Sequence, residues 1–305
     1  MERLDALAAR LDALFAIDTL DRDPGFSRFV PMVYDAIGFH WRSRFEPGFV
    51  MRFNGLVLRG GDRVGTVFCA AFPSDDVLSA FLDAASPGDL LFCHHPIDLR
   101  SGDPRGALGA GFVPIAPATL DLLTERELSL YACHAPMDTA RSAPGTTVAM
   151  MEALGLTFEA DFFAYGNGFA GVVCEAPPRS TEEWEAELLR VFGIPYLDRA
   201  GPAHARIERV AVVPGGGNSV DAYREAEALG AEAYISGEIR SYVDNDFGAG
   251  NRAEIDRYLA AGAMSLLGVS HVASEELVME RQVVPWLRRN CAVEAHFVAE
   301  PLAWR

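Results

Sequence analysis

The chain has 305 residues, a formal net charge of −17 and a hydrophobic fraction of one half. This length allows about two domains with substantial cores, and the hydrophobic fraction excludes a disordered chain. The acidic balance argues against a nucleic-acid-binding surface and against an anionic membrane partner, because both require basic patches.

The use of lysine and cysteine excludes further classes. All 26 basic residues are arginine, which excludes a pyridoxal Schiff-base lysine, a phosphate-loop lysine and the strand lysine of protein kinases. The five cysteines are scattered and include no C-x-x-C pair. They indicate a cytoplasmic protein without a disulfide framework or a structural zinc knuckle. No apolar run is long enough to predict a membrane span.

Helical periodicity over residues 1–22 predicts an amphipathic helix, and residues 24–47 are predicted to be irregular and aromatic. From residue 53 onward the pattern becomes regular. The next predicted elements are a strand at 64–71, a helix from Ser74 to about residue 85, a buried strand at 90–93, a glycine-rich connection at 106–117, a short helix at 119–127, a strand at 128–133 and a helix at 146–154.

The rest of the chain predicts a second set of strands and helices. These elements are strand character at 161–174, a helix from the capping box at 180–183 to Gly193, a strand at 207–213, a helix ending at Gly230, a strand at 233–236, a helix at 253–261, a strand at 264–269, a helix at 275–287 interrupted by Pro285, and a strand at 293–298.

The order of strand, turn, helix and strand therefore occurs twice, which predicts an α/β fold of two similar halves with mixed or parallel sheets. We expect residues 1–138 and 263–305 to form the first half and residues 139–262 the second.

Histidines follow three of the predicted strands. His94 and His95 end one apolar run, His134 ends the next, and His271 ends a third near the C-terminus. In open α/β sheets the ligand crevice lies outside the carboxyl ends of the strands, so this repetition predicts a site at a sheet edge. If a helix opens at His271, Glu275 lies on the same helix face. Histidine and carboxylate donors suit zinc, manganese or iron better than calcium or magnesium.

A glycine-rich stretch, Pro214 to Ser219, precedes one of the predicted helices. It is compatible with an anion-binding turn at a helix start or with a tight turn alone, and no lysine of a phosphate loop accompanies it.

Taken together and in this order, the motifs resemble the Nif-three-like family, whose bacterial members are often labelled type-two GTP cyclohydrolase I. The resemblance covers most of the chain from residue 54 to residue 304. It rests on Asn54-Gly55-Leu56, His94-His95-Pro96, His134-x-x-x-Asp138, Gly215-Gly216-Gly217-Asn218-Ser219, Gly237-Glu238 and His271-x-x-x-Glu275.

The resemblance implies two α/β halves with a dinuclear metal site in the cleft between them, and a homohexameric assembly. It implies two divalent metal ions per chain, with the carboxylate ligands placed to bridge them and with His134 in a supporting position; the spacing leaves open whether His134 is itself a ligand. The implied ligands are His94, His95, Asp138, His271 and Glu275.

This chain departs from the family pattern at four places. Ser270 stands where the family usually has glycine, and Ser274 stands where it usually has threonine. After Gly237-Glu238, where many members carry a further histidine or acid, this chain has Ile239-Arg240-Ser241-Tyr242, and the first fifty residues match poorly. These departures spare the implied ligands and concern the surroundings of the site.

The site predicts a dinuclear metal-dependent hydrolase that acts on a small nucleotide-like or heterocyclic or amide substrate through a metal-activated water. Glu238 or His134 would transfer protons. The alternative is a non-catalytic metal-binding carrier or regulatory adaptor, which a closed coordination shell would favour. In either case we expect a cytoplasmic homo-oligomer with no nucleic-acid or membrane partner.

Overall fold

The computed structural model describes residues 1–304, and the chain divides into two compact units. Each unit is assembled from separate stretches of the sequence. The first unit comprises Met1–Leu99, Phe112–Ala140 and Val278–Pro301, and the second comprises Arg100–Gly111, Arg141–Leu277 and residues 302–304.

The strands are numbered in chain order. They are β1 (Glu2–Arg3), β2 (Gly55–Leu58), β3 (Arg63–Val64), β4 (Thr66–Ala70), β5 (Leu90–Cys93), β6 (Asp98–Gly102), β7 (Leu108–Val113), β8 (Ser129–Ala132), β9 (Thr157–Tyr165), β10 (Gly168–Arg179), β11 (Asp198–Ala200), β12 (Ile207–Val213), β13 (Ala233–Ser236), β14 (Ser265–Gly268) and β15 (Glu294–Phe297).

The helices are numbered in the same way. They are α1 (Leu4–Leu14), α2 (Phe26–Ala36), α3 (Trp41–Arg44), α4 (Pro47–Arg52), α5 (Asp75–Ala84), α6 (Pro117–Glu125), α7 (Ala135–Asp138), α8 (Thr146–Leu154), α9 (Thr181–Phe192), α10 (Val220–Ala228), α11 (Asp246–Leu259), α12 (His271–Val278) and α13 (Val284–Asn290), with a 3-10 turn at Ile17–Thr19 and a π-helical turn at Met279–Val283.

The first unit is built on a five-stranded sheet in the order β15-β4-β5-β8-β2. Its strands are parallel except for β2, which runs antiparallel to β8. All four residues of β5 are buried, as expected for an apolar strand in the middle of a sheet covered on both faces. The predicted buried strand at 90–93 is therefore confirmed, and it leads directly into His94 and His95.

The second unit is built on a six-stranded sheet in the order β11-β14-β13-β12-β10-β9. Strands β12, β13 and β14 are parallel, and the other neighbours pair antiparallel. Helix α9 begins at the predicted capping box, in which Ser180 and Glu183 each accept a hydrogen bond from the other's backbone N–H, and it ends at Gly193. The mixed α/β fold class is confirmed.

The prediction of irregular structure at 24–47 is wrong. Helices α2 and α3 lie within this range, and Phe26, Val30, Val33 and Tyr34 form the buried face of α2. Pro31 lies inside α2, and a proline in mid-segment reads as a helix breaker in the sequence. Burial of this apolar face in the core of the first unit outweighs the hydrogen bond that the proline cannot donate.

The structure also corrects the predicted boundary at residue 263. Strand β14 pairs with β13 and β11 in the six-stranded sheet, so residues 263–277 belong to the second unit and not to the first. Beyond α12, the predicted interruption near Pro285 takes the form of the π-helical turn ahead of α13. A proline near the start of α13 is tolerated because its missing N–H is not needed there.

Two smaller segments also differ from the sequence prediction. The predicted glycine-rich connection at 106–117 contains strand β7, and the predicted helix at 253–261 begins earlier, with Asn245 as the N-cap of α11. Among residues 1–304, no helix has the length and apolar character needed to cross a bilayer.

The aromatic core of the first unit yields a stability prediction. Phe49 and Met51 lie in the same helix, α4, but Phe49 is 1% exposed and Met51 is 58% exposed. We expect Phe49→Ala to lower the free energy of unfolding by about 3–5 kcal/mol, because it leaves a cavity in the core. Met51→Ala should change it by less than about 0.5 kcal/mol. Denaturant unfolding of both variants measures this, and equal losses would contradict the packing described for α4.

Candidate metal centre

Three imidazoles of the first unit lie together at the carboxyl ends of β5 and β8. One ring nitrogen from each of His94, His95 and His134 lies within 4.8 Å of the others. His94 and His95 are buried, and His134 is partly buried. The order of the parallel strands brings these residues together, because β5 and β8 are neighbours in the sheet and end at the same edge.

His94 is held through its Nδ1 nitrogen. Nδ1 lies 2.9 Å from the carbonyl oxygen of Cys133, and Nε2 lies 3.3 Å from Oδ1 of Asp138. Because a carbonyl oxygen only accepts hydrogen bonds, Nδ1 must carry the hydrogen. When the ring is neutral, its lone pair is therefore on Nε2, the nitrogen that faces Asp138, and this is the arrangement in which metal-binding histidines are usually oriented.

His134 is held in the same way by a carboxylate that the sequence prediction missed. Its Nδ1 lies 2.9 Å from Oδ2 of Asp23, and its Nε2 lies 3.3 Å from Oδ2 of Asp138. Burial alone would raise the pKa of Asp23, but His134 and the backbone N–H groups of Phe26 and Ala135 stabilise the carboxylate and lower its pKa to about 2. Asp23 is thus an ionised, buried hydrogen-bond acceptor.

Aromatic rings enclose His95. The ring of Phe72 stacks on it at a centroid distance of 4.3 Å, and Phe26 meets it edge-on at 4.9 Å. Phe26 also meets the ring of His134 edge-on at 4.5 Å. The first-unit cluster therefore lies beside an apolar wall supplied partly by α2, and such a wall strengthens electrostatic interactions at the cluster by excluding water.

The second unit also contains a cluster of imidazole and carboxylate groups, at the start of α12. Nδ1 of His271 lies 2.7 Å from Oε1 of Glu238, and Nε2 lies 3.1 Å from Oε1 of Glu275. The helix at His271 is confirmed, and it places Glu275 one turn later on the same face, as the spacing predicts. The other carboxylate oxygen of Glu238 accepts a hydrogen bond of 2.9 Å from Asn218.

The two carboxylates around His271 favour positive charge at that position. Burial lowers the pKa of His271, but the charges of Glu275 and Glu238 outweigh burial and raise it to about 10. The same negative charge would favour a divalent cation at this position, and a bound ion would require the Nε2 proton to leave.

Glycine residues make room for this second cluster. A Cβ atom on Gly215 would lie 2.2 Å from Oε1 of Glu275 and 2.9 Å from Nε2 of His271, and Gly215 has a positive φ of 62°. A Cβ on Gly237 would lie 2.6 Å from the Ser274 hydroxyl oxygen. Gly215, in the glycine-rich stretch at 214–219, thus packs tightly against the cluster.

The backbone conformation at Ser270 is relevant to one departure from the family pattern, the serine that stands where glycine is usual. Its φ is 81°, in the left-handed region that glycine occupies without strain and other residues avoid. The position before His271 therefore has the backbone geometry of a glycine although it carries a serine side chain.

The predicted site residues fall into two groups by unit. His94, His95, His134 and Asp138 lie together in the first unit, whereas His271, Glu275 and Glu238 lie together in the second. In both units the donors are imidazole nitrogens and carboxylate oxygens without thiolates, a set that fits zinc, manganese or iron.

The family model described as Duf34/NIF3 (NGG1p interacting factor 3) matches residues 52–301. The chain belongs to the DUF34/NIF3 family. Two similar proteins are each named GTP cyclohydrolase 1 type 2 homolog. The protein from Halobacterium salinarum is 32% identical over 61% of this chain and 70% of its own length. The protein from Archaeoglobus fulgidus is 25% identical over 81% of this chain and 89% of its own length.

A solved structure supports the fold of this DUF34/NIF3 chain. A structure titled protein ybgI, unknown function, superposes with a TM-score of 0.68 at 17% identity, and the match covers 99% of both chains. The resemblance found in the sequence motifs is thereby confirmed at the level of family and fold. Asp23 and helices α2 and α3 precede the residues that the NIF3 model matches.

The glycine geometry of this NIF3-family chain can be tested with two adjacent substitutions. Gly215→Ala should lower the free energy of unfolding by at least about 1–2 kcal/mol, because the new methyl group meets Glu275 and the left-handed backbone disfavours alanine. Gly216→Ala is the matched control, because its Cβ would lie 3.6 Å from the nearest ring atom of His271, an ordinary contact. Thermal unfolding that shows equal losses would contradict the close approach at Gly215.

Proposed function

We propose that this protein is a hydrolase that binds two divalent metal ions per chain, with zinc, manganese or iron as the metal. One observation carries the proposal. In each unit a buried imidazole is held through Nδ1 by a protein acceptor while its Nε2 faces a carboxylate. This arrangement supports the proposal, because histidines that bind metal ions almost always donate their other ring N–H to a carboxylate or a backbone carbonyl.

The proposed ligands are those that the sequence indicates. When bound, divalent ions supply Lewis-acid polarisation of a substrate oxygen and a water nucleophile that is available near neutral pH. The protein's own residues orient the imidazoles and neutralise the positive charge. The proposed ligands are His94, His95 and Asp138 in the first unit and His271 and Glu275 in the second.

The contacts of Glu238 refine its proposed role. Both of its carboxylate oxygens are engaged, one by His271 and the other by Asn218. This geometry supports Glu238 as the residue that orients His271. Transfer of a proton by Glu238 or His134 is a further part of the proposal.

The substrate class we propose is a small nucleotide-like, heterocyclic or amide compound. The two relatives named GTP cyclohydrolase 1 type 2 homolog support this choice, because a cyclohydrolase opens a heterocyclic ring by hydrolysis at an electrophilic carbon. The cytoplasmic location and the hexameric assembly expected from the sequence stay predictions.

Metal counting gives the first test of this function. We expect protein that is stripped of metal and then titrated with Zn²⁺ or Mn²⁺ to bind two ions per chain, because each unit carries its own imidazole and carboxylate donors. Elemental analysis after removal of free metal measures the ratio. Saturation at one ion, or no retention of metal, would contradict the dinuclear proposal.

The second test compares two glutamates near each other in the chain. Glu275→Gln removes a charge and a ligand oxygen, so it should weaken metal binding by about 10-fold or more and abolish hydrolysis. Glu280→Gln is the matched control, since Glu280 is exposed. Calorimetric titration is combined with a panel of nucleotide, phosphodiester and amide substrates. Two bound ions without turnover of any substrate would favour the carrier or adaptor alternative instead.

A further inference from the structure

Asp23 is a buried carboxylate that contacts the predicted site histidine His134. The residue is 1% exposed, although it follows an exposed, acidic stretch of the chain. Its burial is compensated by hydrogen bonds from three backbone N–H groups, those of Gly25 at 2.9 Å, Phe26 at 2.7 Å and Ala135 at 3.1 Å. Three N–H donors require that the carboxylate act as an acceptor.

The remaining interaction of Asp23 fixes the ring of His134. Oδ2 accepts from Ala135 N–H and lies 2.9 Å from Nδ1 of His134, so Nδ1 must donate to it. Asn54 contacts both residues. Its Oδ1 accepts a hydrogen bond from the His134 backbone N–H at 2.7 Å, and its Nδ2 lies 3.4 Å from Oδ2 of Asp23. Both the ring and the backbone of His134 are therefore held.

We propose that Asp23 is a positioning residue that holds His134 in its Nδ1–H tautomer and makes the Nε2 nitrogen of His134 a further metal ligand beside Asp138. The proposal goes beyond the ligand set implied by the family, in which His134 only supports the site. It also assigns a role to the segment before residue 52, which the family model does not match. Its consequence for metal binding rests on the proposed function.

The chemistry of the contact predicts what an amide at position 23 would do. In Asp23→Asn the Oδ1 position can still accept from Gly25 and Phe26, so the turn that begins α2 keeps its hydrogen bonds. The position that faces His134 becomes an NH₂ group, which can only donate and no longer accepts from Ala135 N–H. In this orientation Nδ1 accepts, the hydrogen moves to Nε2, and Nε2 loses the lone pair that a metal ligand needs. The opposite orientation is disfavoured, because it would turn the NH₂ group toward the N–H groups of Gly25 and Phe26, which make the shorter backbone hydrogen bonds.

The first measurement is made on metal-free protein and does not depend on the proposed function. The ¹⁵N chemical shifts of histidine rings distinguish the two tautomers, and His134→Ala assigns the signals. At a pH about two units above the ordinary imidazole pKa of about 6.5, we expect His134 to be Nδ1–H in the parent protein and Nε2–H in Asp23→Asn. A His134 ring without a hydrogen on Nδ1 in the parent protein would overturn the proposal, even if Asp23→Asn does not fold.

The second measurement is Zn²⁺ affinity by calorimetry. Asp23→Asn should weaken binding by about 10- to 100-fold. Asp35→Asn is the matched control, because Asp35 lies in the same segment, is half exposed and bonds to Trp41 at 2.9 Å, away from the histidines. In the His134→Ala background, Asp23→Asn should have no further effect on affinity.

The two possible failures are distinguishable. If the parent protein binds no Zn²⁺, the proposed function fails while the tautomer measurement still decides the orientation of His134. If the parent binds Zn²⁺ and Asp23→Asn changes the affinity by less than about twofold, or weakens it equally in the His134→Ala background, the positioning role is wrong.

Discussion

The constraint on which both clusters depend is the hydrogen bond that each of three imidazoles makes through Nδ1. The acceptors are a backbone carbonyl for His94, the Asp23 carboxylate for His134 and the Glu238 carboxylate for His271. A buried imidazole can hydrogen-bond through two nitrogens, and fixing one of them determines what the other can do. In all three rings, Nε2 is left facing a carboxylate, where a cation is stabilised.

The fold supplies these acceptors by ordinary means. Strands β5 and β8 end side by side, so the Cys133 carbonyl at the end of one strand reaches the ring that follows the other. In the second unit, Glu238 accepts a hydrogen bond from the ring of His271 at the start of α12, and Gly215 allows close packing against that ring. The left-handed backbone at Ser270 indicates that geometry near the cluster is kept at some cost in local strain.

The sequence predicts a site residue well when the residues that indicate it are near it in the chain. His94 and His95 are predictable because an apolar run and a proline bracket them, and the pairing of His271 with Glu275 follows from helical spacing. Asp23 is not predictable in this way, because it lies 111 residues from His134 and is one of many acidic residues near the N-terminus. Its position before Pro24 and Gly25 signals a turn, and nothing local signals the histidine that it contacts.

The errors in the fold prediction have a related cause. The chemistry of His271 groups residues 263–277 with the other histidines, whereas the hydrogen bonds of β14 to β13 and β11 determine their unit. Pro31 weakens the local helical pattern of α2, although the apolar face of this helix is packed into the core. In both cases long-range packing, which a single sequence does not display, outweighs a local signal.

The most direct test of the account is the location of bound metal by anomalous X-ray scattering from crystals grown with Zn²⁺ or Mn²⁺. The account predicts metal peaks about 2.0–2.2 Å from the Nε2 atoms of His94, His134 and His271, with each Nδ1 still bonded to its protein acceptor. Metal bound through Nδ1, or imidazoles turned away from these acceptors when metal is present, would contradict it.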